Sequence, residues 1–231
     1  MRNFKLTNKK LTNEKLTNEN LTTKKTFFTG LLVIFGVVFV WSAIKPHDFF
    51  TWLLEVLPTI IALPILFFTH QKFPLTRLLY LLILVHAIIL MVGAHYTYAL
   101  VPINELPLFN WIKDALDLDR NYYDRIGHFA QGFVPAIIAR EILIRKNVVK
   151  TDAWLFFVVC CICLSISACY EFIEWWVALA SGTAAEAFLG TQGDVWDTQW
   201  DMFIAFIGAM VAQLTLGRMH DRQLAATPSA E

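Results

Sequence analysis

Charge is scarce in this chain. Asp, Glu, Lys and Arg make up only 16% of its 231 residues, against about 25% in ordinary soluble domains. No block of basic residues interleaved with aromatics occurs, which excludes nucleic acid as an expected partner. The chain also has no P-loop, no G-x-G-x-x-G turn, no H-E-x-x-H helix, no nucleophile elbow and no P-S-G-H lipid-phosphatase signature. Nucleotide-binding, zincin and α/β-hydrolase chemistry therefore lack their sequence marks. Cysteine is confined to Cys160, Cys161, Cys163 and Cys169, all within one apolar run. A disulfide framework would spread cysteines over exposed loops, and a zinc site would turn thiolates toward a polar cavity. These four read as small apolar residues of a bilayer helix.

What is abundant is hydrophobicity. Apolar residues make up 57% of the chain, with 14% aromatic and a mean hydropathy of +0.53. Six runs, about 26–44, 49–69, 77–100, 126–144, 153–179 and 201–217, are long enough for a hydrocarbon core of roughly 30 Å. The expected fold is all-α, a polytopic membrane helix bundle of about six transmembrane helices in a lipid bilayer. The first run is too long for a signal-peptide core, and cleavage after Ala43 would place bulky Trp41 where a small residue is needed. It is expected to remain as the first span. Residues 1–25 repeat K-L-T-N-x and read as a disordered polar tail, 26–222 as the membrane domain, and 223–231 as a short cytoplasmic tail.

With the N-terminus inside, fifteen Lys and Arg fall in inner segments, and only Lys45, Lys113, Arg120 and Arg125 fall in outer ones. The positive-inside rule then places both termini in the cytoplasm. Trp41, Trp52, Trp111, Trp175, Trp176, Trp196 and Trp200 fall near outer ends, as an aromatic belt would.

Three polar segments share that outer level: YYDRIGHFAQG (122–132), YEFIEWW (170–176) and GDVWDTQWDM (193–202). Asp124, His128 and Gln131 stand at i, i+4 and i+7, Glu171 and Glu174 at i and i+3, and Asp194, Asp197 and Asp201 at i, i+3 and i+7. Each set occupies one helix face, the last provided that the helix already includes residue 194. Three such faces can close around one outward-facing acidic pocket, where the carboxylates need protons, partners or a cation. Asp and Glu oxygens with one His suit a divalent ion such as Mg, Mn, Ca or Zn. Plainer roles stand beside this one. Asp194 serves as a helix cap, Asp124 with Arg125 as a surface ion pair, and His128, His86 and His95 as packing residues. Gly127, Ala130 and Gly132 allow close helix packing, and Glu55 stands alone in the second span with no role assigned.

The text YYDRIGHFAQGFVPAIIARE, YEFIEWW and GTQGDVWDTQWDM resembles the YjdF family over roughly residues 30–222. That resemblance implies a multi-span bacterial inner (cytoplasmic) membrane protein and no particular activity. A fainter similarity is to VanZ-like proteins, through Asp124 and His128, Glu171 or Glu174, and Asp197 or Asp201; it implies an envelope connection. Three functions follow from the residues. One is a structural or assembly role, with the motifs as an interhelical hydrogen-bond core. Another is a metal-assisted enzyme acting on an envelope lipid or another phosphate-containing ligand. In it Asp124, His128, Asp194, Asp197 and Asp201 supply metal ligands, Glu171 or Glu174 acts as base, and Arg125 contacts phosphate. The third is a small cation- or proton-coupled transporter.

Overall fold

The computed structural model describes residue 22 and residues 25–107, 110–111, 120–151, 153–181 and 191–227. Apart from residues 22 and 25, the repeat tail lies outside the described residues. Six long helices make up the bundle: α1 (Lys25–Ala43), α2 (Phe49–Thr69), α3 (Arg77–Tyr96), α4 (Tyr123–Arg145), α5 (Ala153–Ser181) and α6 (Asp197–Ala225). A single 3-10 turn, Pro102–Glu105, follows α3. No strand occurs among the described residues.

All six expected spans coincide with helices, and the ends differ for local reasons. The third stops at Tyr96 rather than 100 because Thr97 and Tyr98 take left-handed backbone angles (φ 56° and 45°). That reversal lays the Tyr98 ring over Gly93 and Gly127, at the start of α4. The sixth runs on to Ala225, so residues 223–225, expected in the tail, are helical.

Among the described residues, five helices are long and apolar enough to cross a membrane: α1, α2, α3, α5 and α6. α4 is too polar to meet that description by composition, yet it is the most enclosed. Twelve of its 23 residues are buried, against seven of 29 in α5. A helix wrapped by protein is spared contact with lipid tails, so it carries charge where a peripheral span would not. The lipid-facing surface lies on the other helices, with Phe49, Leu57, Phe67, Phe68, Phe157 and Leu179 exposed.

Side-chain contacts set the helix directions. Arg125 meets Asp201, and Arg140 meets His220. α4 and α6 therefore run parallel over the full height of the bundle. Glu171 lies beside His128 while Gln213 reaches the Phe156 carbonyl, so α5 runs against both. α3 also runs against α4: Tyr123 Oη donates to the Ile89 carbonyl, and Thr76 meets Glu141.

The two parallel helices touch backbone to backbone. A Cβ on Gly132 would land on the Ala205 carbonyl, and one on Gly208 would land on the Phe129 carbonyl. Small residues let helices approach this closely. Below the contact, Ala136, Ile137, Val159, Cys163, Ala209 and Ala212 form a dry core. A second core of Trp52, Val56, Ala87, Met91 and Ala94 joins α2 to α3. Trp52 is therefore a core residue rather than a belt residue. It is 6% exposed, and its indole N–H donates to Ser42 Oγ at 3.2 Å. The other tryptophans expected in the belt are exposed.

The end of the bundle where α4 and α6 finish carries its own buried polar network. Glu141 is fully buried and accepts from Thr76 N (3.1 Å), Thr76 Oγ1 (2.8 Å), Arg145 Nη1 (3.0 Å) and His220 Nε2 (3.0 Å). Arg140 donates to His220 Nδ1 at 3.0 Å and pairs with Asp221 at 2.8 Å. Every member has a partner, which is the condition for a polar network to hold a bundle together rather than weaken it.

The close α4–α6 contact yields a stability prediction. Gly132→Ala and Gly208→Ala should each cost about 1–3 kcal/mol, the range for overpacking. Gly217→Ala, where an added Cβ meets nothing within 4 Å, should cost far less. Thermal unfolding in detergent compares the three.

Candidate functional site

The opposite end, where α4 and α6 begin, is the acidic end. The turn before α6 is built by Gln192 and Gly193, both left-handed (φ 48° and 85°), a conformation that favours glycine at the second. Asp194 Oδ1 then accepts from Trp196 N at 2.9 Å and opens the helix. The segment before α4 is tied to this turn by a reciprocal pair. Asn121 N donates to Gln192 Oε1, and Gln192 Nε2 donates to the Asn121 carbonyl, both at 2.9 Å. That pairing places Arg120 and Arg125 against the α6 aspartates.

The arginine side of the site is dense. Arg120 Nη1 lies 2.8 Å from Asp197 and 3.2 Å from Asp194. Arg125 Nη2 lies 2.6 Å from Asp197 and 3.3 Å from Asp194, and its Nη1 bonds Asp201. Asp194, expected as a helix cap, instead braces the turn before α6, whose N-cap is Trp196, and pairs with both arginines. Arg125, expected to contact phosphate, is engaged with the aspartates of α6. Asp124 and Arg125 are buried rather than a surface pair.

His128 stands at the centre. Its Nε2 is 3.4 Å from Asp124 Oδ1 and 3.6 Å from Asp201 Oδ1. On the other side, Nδ1 is 3.1 Å from Gln131 Oε1 and 4.0 Å from Glu171 Oε1. Two overlapping groups bring their donor atoms within 4.8 Å of one another: Asp124, His128 and Asp201, and His128, Glu171 and Glu174. All five residues are buried. Two carboxylate oxygens here, Asp124 Oδ2 and Glu171 Oε1, are buried without a hydrogen bond.

Of the residues singled out from the sequence, the fold thus unites Asp124, His128, Asp201, Glu171 and Glu174 around one imidazole. It sets Asp194 and Asp197 against the guanidiniums. Three members escaped the sequence reading. Arg120 was counted only as an outer-loop cation, although it sits at i, i+4 to Asp124. Glu55 is 5% exposed and accepts from Tyr170 Oη at 3.1 Å, next to Glu171 in sequence. Its signal was the isolation of one charge in an apolar run. Gln131 was placed on the right face without its contact to His128. His95 is the packing residue expected, with its ring on Trp41 and Nδ1 at the Ser42 carbonyl.

Charge does not balance at this end. Among the described residues of the site, Glu55, Asp124, Glu171, Glu174, Asp194, Asp197 and Asp201 are seven carboxylates, and Arg120 and Arg125 are two guanidiniums, an excess of five. Such an excess in a buried place requires protons or bound cations.

A bundle with an apolar outer face, a charged central helix and a polar centre at one end is a multi-pass integral membrane protein. The chain belongs to the family described as predicted membrane protein (DUF2238), whose profile matches residues 27–222. A curated relative, the inner membrane protein YjdF of Escherichia coli (strain K12), is 53% identical over 188 residues, covering 81% of this chain and 88% of that protein. No solved structure matches. The chain is a multi-pass protein of the inner membrane.

Removing one partner of a buried ion pair costs about 3–5 kcal/mol. Arg125→Met, which takes a cation from Asp124, Asp194, Asp197 and Asp201, should lower stability by that order. Adding Asp201→Asn to it should recover part of the loss. Thermal unfolding of the single and double variants in detergent is the measurement.

Proposed function

We propose that the chain is a metal-dependent membrane enzyme whose divalent cation is held by Asp124, His128 and Asp201. The observation that carries this reading is the trio itself: three donors within 4.8 Å of one another, with Asp124 Oδ2 buried beside them without a hydrogen bond, 3.6 Å from both Arg120 and Arg125. Three protein ligands leave a cation a position for water or substrate, as catalytic sites require. The bound cation would supply Lewis acidity and an acidified water. Arg125 holds Asp201 in place, and the Arg120 and Arg125 forks together keep Asp194 and Asp197 out of competition for the ion.

Two features favour this reading over its rivals. A structural hydrogen-bond core satisfies its members, as the far-end network around Glu141 does, and this site leaves two buried carboxylate oxygens with ion-pair neighbours but no hydrogen bond. A conduction path needs polar groups through the bundle. Here the packed slab of Ala205, Ala209, Ala212, Ile137 and Val159 separates the two polar ends.

The substrate class follows from depth. Exposed Trp175, Trp176, Trp196 and Trp200 ring the acidic end, at the level where lipid headgroups lie. A phosphate ester of an envelope lipid is the group that a cation at this depth would meet. By the positive-inside bias the site faces the periplasm and both termini lie in the cytoplasm.

Elemental analysis of the purified protein tests the metal. Bound Mn or Zn should be found in the wild type and be lost, by tenfold or more in affinity, in Asp201→Asn and His128→Ala. A wild type that retains no divalent ion under any loading condition would sink the reading. Orientation has its own test, in a background without the four native cysteines. Lys45→Cys should react with a membrane-impermeant maleimide on spheroplasts, and Lys72→Cys only after lysis; the reverse pattern would invert the topology.

A further inference from the structure

His128 has a second side that the first cation leaves unused. The Gln131 Oε1 atom only accepts, so Nδ1 of the ring carries the hydrogen between them, and Nε2, which faces the carboxylates of Asp124 and Asp201, is the nitrogen that would give its lone pair to a cation held among them. On the Nδ1 side stand Glu171 and Glu174, one turn apart on α5 and 5% and 8% exposed. Each offers an oxygen within 4.8 Å of the other and of the ring. Glu171 Oε1 is buried, accepts no hydrogen bond and lies 4.0 Å from Nδ1. A buried carboxylate oxygen with nothing to accept carries its full desolvation cost. The guanidiniums of Arg120 and Arg125 lie against the aspartates of α6, on the Nε2 side of the ring.

We infer that Glu171 and Glu174, with the Gln131 amide oxygen beside them, hold a second divalent cation next to the first, making the centre dinuclear. This rests on the reading of the first site given above. It moves Glu171 and Glu174 from the expected role of base to that of ligands. The two positions differ chemically. The first includes an imidazole nitrogen and suits Zn or Mn; the second is all oxygen and suits a hard ion such as Mg or Mn.

Charge favours two ions over one. Against the excess of five carboxylates among the described residues, one divalent ion leaves three uncompensated and two leave one. The one left over can be Glu55, which already accepts from the Tyr170 hydroxyl. A paired centre also narrows the substrate to a phosphate ester, because two adjacent cations neutralise the attacking and the leaving oxygen of one phosphoryl group. In hydrolysis of such an ester, a water oxygen bonds to phosphorus and the P–O bond to the alcohol breaks. The proton of the water ends on the departing alkoxide.

The test is a count of manganese on the full chain in detergent, loaded with Mn and then desalted. The wild type should hold two Mn per chain, with an electron paramagnetic resonance spectrum of two coupled ions. Glu171→Gln/Glu174→Gln should hold one, with the uncoupled spectrum. One uncoupled Mn in the wild type would overturn the second site and leave the first standing, and none would overturn both. Two Mn retained in the double variant would also overturn the assignment to Glu171 and Glu174. The wild-type count needs no variant to fold, so it decides the matter alone if the double variant is unstable.

Discussion

The backbone contact between α4 and α6 is the constraint on which the rest depends. Gly132 lies against Ala205, and Gly208 against Phe129, with no room for another atom. Helices that close are fixed in register, and that register decides which side chains meet at each end. Two turns above Gly132, Arg125 and His128 face Asp201; two turns below, Arg140 faces His220. A slip of one turn would separate both sets at once. The packing of small residues and the placement of the charges are therefore one design problem, solved in the middle of the bundle and read out at its ends.

The charges themselves are sorted by helix. Lipid touches the spans that are almost free of charge, and the helix that carries Asp124, Arg125, Arg140, Glu141 and Arg145 is wrapped by its neighbours. The two polar ends differ in completeness. At one, Glu141 accepts four hydrogen bonds and nothing is left over. At the other, carboxylates outnumber cations and two of their oxygens accept no hydrogen bond. The same chain thus builds one polar network that finishes and one that does not, which separates a fastening from a place kept for something else.

Much of this was legible in the sequence, for definite reasons. Long apolar runs mark membrane helices because the bilayer leaves few alternatives; all six runs are helices, and five of them are long and apolar enough to cross. The faces of Asp124 with His128 and of Glu171 with Glu174 were legible because i, i+3 and i+4 spacing survives in any helix, whereas Asp194 lies in the turn before α6 and shares no helix face with Asp197 and Asp201. Gly132 announced a close approach, although its partner at Gly208 did not. What could not be read was pairing across helices. Nothing in the local sequence says that Arg120 and Arg125 both turn to Asp197, or that Glu55 comes to Tyr170 over 115 residues of chain. The Glu141 and His220 network was missed because those residues looked like ordinary charges at a cytoplasmic end. Trp52 was misplaced because depth along a span does not reveal which way a side chain turns.

Helix direction adds a consequence of its own. Each helix carries a partial positive charge at its start and a partial negative one at its finish. α4 and α6 both start at the acidic end, with Asp124 and Asp197 in their first turns. Their dipoles favour anions there, each by about 0.3–1 kcal/mol at an exposed terminus. α5 arrives from the opposite direction, and Glu171 and Glu174 stand about two to three turns before Ser181, out of reach of a terminal dipole. The acidic end is therefore polarised on one side before any side chain is considered. Its α4–α6 half is already hospitable to carboxylates, and its α5 carboxylates have no such help.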